Sequence, residues 1–316
     1  FSRVLFGPSS NQQPKQELLY KAYKDAQPYL EQSEIDLQEV MKIRSRLRNE
    51  LLFPEYTPEF DLLDQSLALL KDNLTYMRYI PYLLGGDQPT NYLIMVQNHD
   101  ELRASGGFIT SFGLLRMDQG KISIMSFEDS TSLNYVDKAL IPPEPIHQIM
   151  MASYWVPRDG NWSPDFPTTA RQVQSLYYSS TGYPTDVVIA FDQTFLIELL
   201  KVLGPTELAS DIPVVTADNF ETVMINIKTT ARETMGNDQR KFFIGRLAPV
   251  VINRITDIKD ISLLLQLVDL MRDQMRKGSL QLYFTHPDLQ EFLDEQKLSG
   301  KIDVGRGDFL MLVDSN

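Results

Sequence analysis

The chain has 316 residues, 43% hydrophobic and 10% aromatic, enough to bury a substantial core in one large or two modest domains and too apolar for intrinsic disorder. Its 42 acidic and 30 basic residues give a formal net charge of −12, which opposes general nucleic-acid binding because phosphate contacts need a basic surface. No cysteine occurs, so disulfides, thiolate metal sites and cysteine nucleophiles are excluded, and His99, His147 and His286 lack metal-ligand spacing.

From Pro14 to Leu52, apolar residues recur at three- and four-residue spacing between charges, the pattern of an amphipathic helix bent or broken near Pro28. A second helix is predicted from Phe60, ending by Pro81 or Gly85-Gly86, so residues 1–86 read as a helical hairpin whose pairing is either with its own domain or as a coiled coil. Tyr92-Leu-Ile-Met-Val96 is a continuous apolar run suited to a strand buried on both faces. Phe108 to Met117 and Lys121 to Phe127 form a hairpin around Asp118-Gln-Gly120, and Asp186 to Phe191 is a further buried strand. Gln193 to Leu203 reads as a helix closed by Gly204-Pro205, helices dominate from Ala217 to Lys277, and Leu280 to Phe284 and Phe309 to Val313 read as two late strands. Strands alternating with helices, plus a hairpin, predict an α/β fold: a mixed sheet flanked by helices. No run reaches the roughly 18 to 20 apolar residues that span a bilayer. Phe1 and the apolar run before Asn316 give both ends the look of a cut chain, so any membrane anchor is expected outside these residues.

Three constellations can carry chemistry. Gln97 to Phe108 links the first buried strand to the hairpin, and ligand sites in α/β sheets gather at such strand ends. There Gly106-Gly107 lets backbone amides approach an anion, and Arg103 either grips a phosphate or pairs with Glu101 or Asp100. The second is Arg158-Asp-Gly-Asn-Trp-Ser-Pro-Asp-Phe-Pro167, which precedes a helix starting near Pro167. Asp165 or Ser163 is placed to cap that helix, Trp162 and Phe166 to staple it, and Arg158 and Asp159 to neutralise each other. Polar and aromatic groups exceed what one cap needs, which leaves ligand contact open for Arg158, Asp159, Asn161 and Trp162. The third is basic, Lys228, Arg232, Arg240, Lys241 and Arg246: either a positive helix face or a solvated one. Arg306-Gly-Asp308 is a three-letter match of the kind that arises by chance, and the glycosylation acceptors Asn73-Leu-Thr75 and Asn161-Trp-Ser163 matter only in a host that glycosylates them.

On the motifs at Asn98 to Phe108 (N-x-x-E-L-R-x-x-G-G-F), Arg158 to Pro167 (R-D-x-N-W-S-P-D-F-P), and Asp186 to Asp192 with Leu203-Gly-Pro205, the stretch Asn91 to Gly204 resembles the bacterial domain-of-unknown-function family four-thousand-and-twelve. More distantly it is similar to the LytR-CpsA-Psr proteins, membrane-anchored extracytoplasmic enzymes that transfer glycopolymers from polyprenyl pyrophosphate carriers to the cell wall. Asp238-Gln-Arg-Lys-Phe242 resembles their D-x-x-R-x-x-R-Q segment, and Arg103 resembles the arginine after their first strand. The chain departs from them in carrying Glu128-Asp129 in place of an arginine-aspartate pair, Gly106 in place of a metal-binding aspartate, and Lys-Phe-Phe after Arg240.

The resemblance implies a LytR-CpsA-Psr-like α/β domain over 87–316 behind the hairpin of 1–86, extracytoplasmic, envelope-associated and membrane-anchored in the full-length protein. The implied function is binding, and transfer, of a polyprenyl-(pyro)phosphate-linked glycopolymer. In that picture Arg103, Asp129, Asp159 and Arg240 are catalytic candidates, with Asp129 and Asp159 the candidate Mg²⁺ ligands. Asn98, Glu101, Gly106, Gly107, Arg158, Asn161, Trp162, Lys228 and Arg232 are the ligand-binding candidates. The expected partners are a lipid-linked glycan or cell-wall polymer, and a homo-oligomer or envelope assembly. The alternative is a non-catalytic cell-surface or filament protein that keeps the fold for assembly. A third reading, a peptidoglycan-binding module, requires an open cleft near Trp162.

Overall fold

The structure, a computed structural model, describes residues 15–47, 56–133, 140–149, 151–208, 212–234, 240–258, 260–305 and 307–314. Contacts divide the chain into two compact units, residues 1–89 with 117–121, and residues 90–116 with 122–316. Among the described residues no helix is long and apolar enough to cross a membrane.

The first unit holds α1 (Lys15–Arg44), α2 (Thr57–Met77) and the short α3 (Ile80–Leu83). Of the bend or break expected at Pro28, no break occurs: α1 is continuous through it, with the ring at an exposed position, at the cost of the hydrogen bond its missing amide would have donated. Arg44 ties the two long helices by an ion pair to Asp64 at 2.7 Å and by lying over the Phe60 ring at 4.9 Å, while Arg78 pairs with Glu34 at 2.6 Å. Tyr20 donates its hydroxyl to the Gly86 carbonyl at 3.0 Å. The turn 117–121 joins this unit because the Gln119 and Gly120 amides donate to the carbonyls of Gly85 and Leu84 at 2.8 and 2.7 Å. Gln119 and Gly120 both have positive φ, 48° and 83°, the conformation that a two-residue hairpin turn demands.

The second unit is built on a five-stranded sheet in the order β3-β2-β1-β4-β5, with β1 Thr90–Arg103, β2 Gly106–Asp118, β3 Lys121–Asp129, β4 Val187–Phe191 and β5 Leu280–Phe284. β1 and β4 are parallel, with Tyr92 opposite Val187 and Val96 opposite Phe191, and β5 returns antiparallel to β4. The mixed sheet flanked by helices is the predicted class. β1 is longer than its apolar run: it continues through Asn98 and Glu101 to Arg103, so only Ala104 and Ser105 separate it from β2. The polar tail escapes a reading that looks for buried strands, because it is paired in the sheet while its side chains are only partly covered.

Parallel pairing of β1 and β4 requires a crossover, supplied after α4 (Glu144–Ile149) by α5 (Phe166–Thr181). Asp165 caps α5 by accepting from the Thr168 amide at 3.0 Å, Pro167 sits in the first turn, and Gly182 closes the helix at φ 75°. Phe166, Ala170, Val173 and Tyr177, one helix face, are buried against Leu93, Met95, Phe112, Val188 and Ala190 of the sheet. Each such large side chain removed from water contributes about 1.5 to 3 kcal/mol.

Next come α6 (Gln193–Leu203), α7 (Phe220–Thr234), α8 (Arg240–Thr256), α9 (Ile261–Lys277) and α10 (Pro287–Glu295). α6 packs beside α9, and its carbonyl end is covered by Arg254 of α8. That guanidinium donates to the carbonyls of Leu203 at 2.7 Å and Pro205 at 2.8 Å and to the Thr206 hydroxyl at 2.7 Å. The late strand expected at Phe309 to Val313 does not form: the segment is irregular, with Leu310 98% and Leu312 87% exposed. Apolar residues at every position suggest two-sided burial, yet a strand also needs a hydrogen-bonding neighbour, and no strand of the sheet pairs with it.

Asp165 does more than cap, since its second oxygen accepts from the Ile302 amide at 3.1 Å and so pins the late segment to the start of α5. Asp165→Ala is expected to lower unfolding stability by about 1 to 2 kcal/mol and Asp165→Asn by less, read from urea-denaturation midpoints.

Candidate functional site

A crossover helix between parallel strands runs antiparallel to them, so the start of α5 and the loop before it lie at the carboxyl ends of β1 and β4. That end of the sheet gathers most of the described candidate residues, in two groups.

The first group joins the β1–β2 turn to the loop 158–167. Asn161 is fully buried and its amide donates to the Gly107 carbonyl at 2.7 Å, while its Oδ1 has no hydrogen-bond partner. The Ser105 hydroxyl donates to Thr169 Oγ1 at 3.1 Å, and that hydroxyl donates in turn to the Ser163 carbonyl at 2.9 Å. Gln97 reaches the Ser105 carbonyl at 2.8 Å. These contacts explain the glycine pair. A Cβ on Gly106, whose φ is 91°, would strike the Gln97 amide, and one on Gly107 would strike the backbone of Asn98 and His99. In this structure the pair serves close packing of backbone on backbone.

Charged groups sit on that frame. Residues Pro157–Asp159 form a 3-10 turn whose last carbonyl accepts from the Trp155 indole at 3.0 Å. The Arg158 Nε lies 3.8 Å from Asp159 Oδ2, the expected mutual pairing. Arg103, the last residue of β1, donates to the Leu102 carbonyl at 2.8 Å and stacks its guanidinium 5.3 Å from the Phe108 ring centre. Burial pushes the Asp159 carboxyl above the usual aspartate range, while the positive charges of Arg158 and then Arg103 pull the other way. The structure thus brings Arg103, Arg158 and Asp159 into one electrostatic group. Trp162 of the same loop is half-buried.

The second group links β1 to α6. Gln193, the first residue of α6, donates to Asn98 Oδ1 at 2.5 Å and accepts from the His99 amide at 3.0 Å. Asn98 also donates to Glu101 Oε1 at 3.2 Å. His99 Nδ1 lies 3.5 Å from the Thr194 hydroxyl and 3.9 Å from Asp192 Oδ2, and its Nε2 lies 3.5 Å from Asp100. Asp192 itself caps α6, accepting from the Phe195 amide at 3.0 Å. Gln193 and His99 were not candidates from sequence. The signal for Gln193 was its place directly after the capping Asp192, at the mouth of a strand.

Asp129 ends β3 and is occupied locally, accepting from the Thr131 amide at 2.9 Å and the Thr131 hydroxyl at 2.6 Å. It precedes the turn Ser130–Leu133, which packs against the turn carrying Asp159. Among the described residues no group of three histidine, aspartate or glutamate side chains is arranged to hold a metal ion. With Asp129 held by Thr131, the described residues do not by themselves make a Mg²⁺ cage. Lys228 and Arg232 fall in α7 and Arg240 and Lys241 in α8, but their side chains lie outside the described residues, as does Arg306.

Residues 87–227 match a family model described as "Protein of unknown function (DUF4012)", a span that contains all three motifs. No curated protein matches the chain. Among solved structures the chain is similar to protein gbs0355 from Streptococcus agalactiae at 13% identity, covering 65% of this chain and 72% of that one with a TM-score of 0.42. It is also similar to Lin1025 from Listeria innocua at 13% identity, with 66% and 78% of the chains covered and a TM-score of 0.39. A third similar structure is TagV from B. subtilis, at 11% identity with 72% and 89% covered and a TM-score of 0.37.

The raised Asp159 pKa has a definite sign for stability. On falling pH the folded protein binds a proton before the unfolded chain does, so folding is favoured as pH drops through that interval. Between about pH 7 and about pH 4 the wild type is expected to gain stability relative to Asp159→Asn, measured by urea unfolding at each pH. A loss over the same interval would show that the arginines, not burial, dominate that carboxyl.

Proposed function

We propose that this chain is an extracytoplasmic, envelope-associated protein whose sheet end at Arg103, Arg158 and Asp159 binds a phosphorylated, lipid-linked glycan. The family match over 87–227 and the motif resemblance support the cellular setting. The observation that carries the ligand class is that the charges of two guanidiniums, Arg158 at 3.8 Å in the loop before α5 and Arg103 at the end of β1, both act on one largely buried carboxyl. Guanidinium forks suit phosphate oxygens, and a phosphate arriving there would compete with the Asp159 carboxylate for the Arg158 charge. Trp162 gives the neighbouring wall for a sugar or prenyl chain. Arg240, Arg232 and Lys228 extend the cationic set in this reading, and Glu101 with Asn98 orients the strand tail through Gln193.

Transfer is the finer step of the same reading. In this reading Asp159, whose carboxyl burial holds toward its protonated form, serves as the acid or base beside an acceptor hydroxyl. The rival reading, a non-catalytic surface or assembly protein, is favoured by a different observation: large apolar side chains stand exposed along both long helices of the first unit.

Calorimetric titration with a soluble polyprenyl diphosphate separates the two. Arg103→Ala and Arg158→Ala are each expected to weaken binding about tenfold or more, with the lysine variants between. A chain that does not bind the diphosphate, or a double alanine variant that binds like wild type, would sink the ligand reading and leave the assembly one.

A further inference from the structure

We propose that the outer face of α1 is a docking surface for a second copy of this chain, laid antiparallel against it. The inner face of α1 is accounted for by Tyr20, Tyr23 and Leu37, which are buried within the first unit. The opposite side is not. Ile35 is 59% and Ile43 54% exposed, and they flank a surface groove of about 380 Å³ lined by Ile35, Gln38, Glu39, Lys42, Ile43 and Arg46. Spacings of three and four residues along one side make the ridge that a facing helix packs against.

Charge chooses the occupant and its direction. Between residues 31 and 39 the helix carries Glu31, Glu34, Asp36 and Glu39 and no base, while residues 42 to 46 carry Lys42, Arg44 and Arg46 and no acid. Glu34 and Arg44 are already paired to Arg78 and Asp64. The rest face outward as a block of acid followed by a block of base. A parallel second copy would set acid against acid. An antiparallel one, with its two-fold axis near Glu39, brings the base block of each copy level with the acid block of the other, Lys42 at the height of Asp36 and Ile43 at the height of Ile35, and symmetry makes the match twice. Each Glu39 at the axis has Lys42 three residues along its own helix. The acid block also argues against an anionic lipid surface as the occupant. This surface lies in the first unit and is independent of the ligand reading.

Sedimentation equilibrium of the whole chain tests it. The wild type should be a dimer whose dissociation constant rises with salt, and Lys42→Glu should raise that constant about tenfold or more. The double variant Lys42→Glu, Asp36→Lys restores opposite charges across the axis and should recover wild-type association. Ile35→Glu with Ile43→Glu should give a monomer whose circular dichroism is unchanged, since neither side chain is part of the core. A wild type that stays monomeric, including one that instead floats with lipid vesicles, overturns the proposal. So does a dimer indifferent to the isoleucine variants, or a charge swap that fails to rescue.

Discussion

The parallel register between β1 and β4 is the constraint from which the second unit follows. Two parallel strands cannot be joined by a turn, so the chain must leave β1, build β2 and β3, and return through a helix on the face of the sheet. That return fixes where α5 begins, and its N-cap Asp165 fixes where the preceding loop must end. The loop therefore arrives beside the tail of β1 without any attraction between Arg103 and Asp159 being needed to bring it there. Asn161 and the Ser105 to Thr169 pair then hold it down. The charged residues are passengers on a frame set by backbone pairing, capping and the burial of one face of α5.

That separation of frame and cargo explains what the sequence disclosed. Tyr92 to Val96, Val187 to Phe191 and Leu280 to Phe284 are readable because strands covered on both faces are near-continuous apolar runs, interrupted here only by Gln281. The α5 cap was readable because Asp165 and Pro167 obey local rules. Asn98 to Arg103 looked like a linker because polar side chains at the rim of a sheet carry no periodic signal, although the backbone is fully strand. Phe309 to Val313 failed in the opposite way: its composition satisfied the strand pattern, and pairing, which composition does not encode, was missing.

The candidate site was legible as a set of motifs and illegible as a geometry. Arg103 and Asp159 lie on separate motifs, and only the crossover brings them together. A glycine pair suggests an anion cradle because glycine exposes amides; here the same missing Cβ also seats Asn98 and His99 against the next strand. Gln193 had no motif of its own, since a neutral amide acting as a clamp has no distinctive spacing. The resemblance ordered these pieces along the chain, but it could not say which oxygen each amide would reach.

One side chain far from that site has a consequence for it. Arg254 of α8 closes the carbonyl end of α6, and Gln193 at the other end of α6 grips Asn98 and His99. An eleven-residue helix is a rod about 16 Å long, so these two sets of contacts fix α6 at both of its ends. The helix that carries Arg254 and the strand that carries Arg103 are thus joined through the two ends of one short rod.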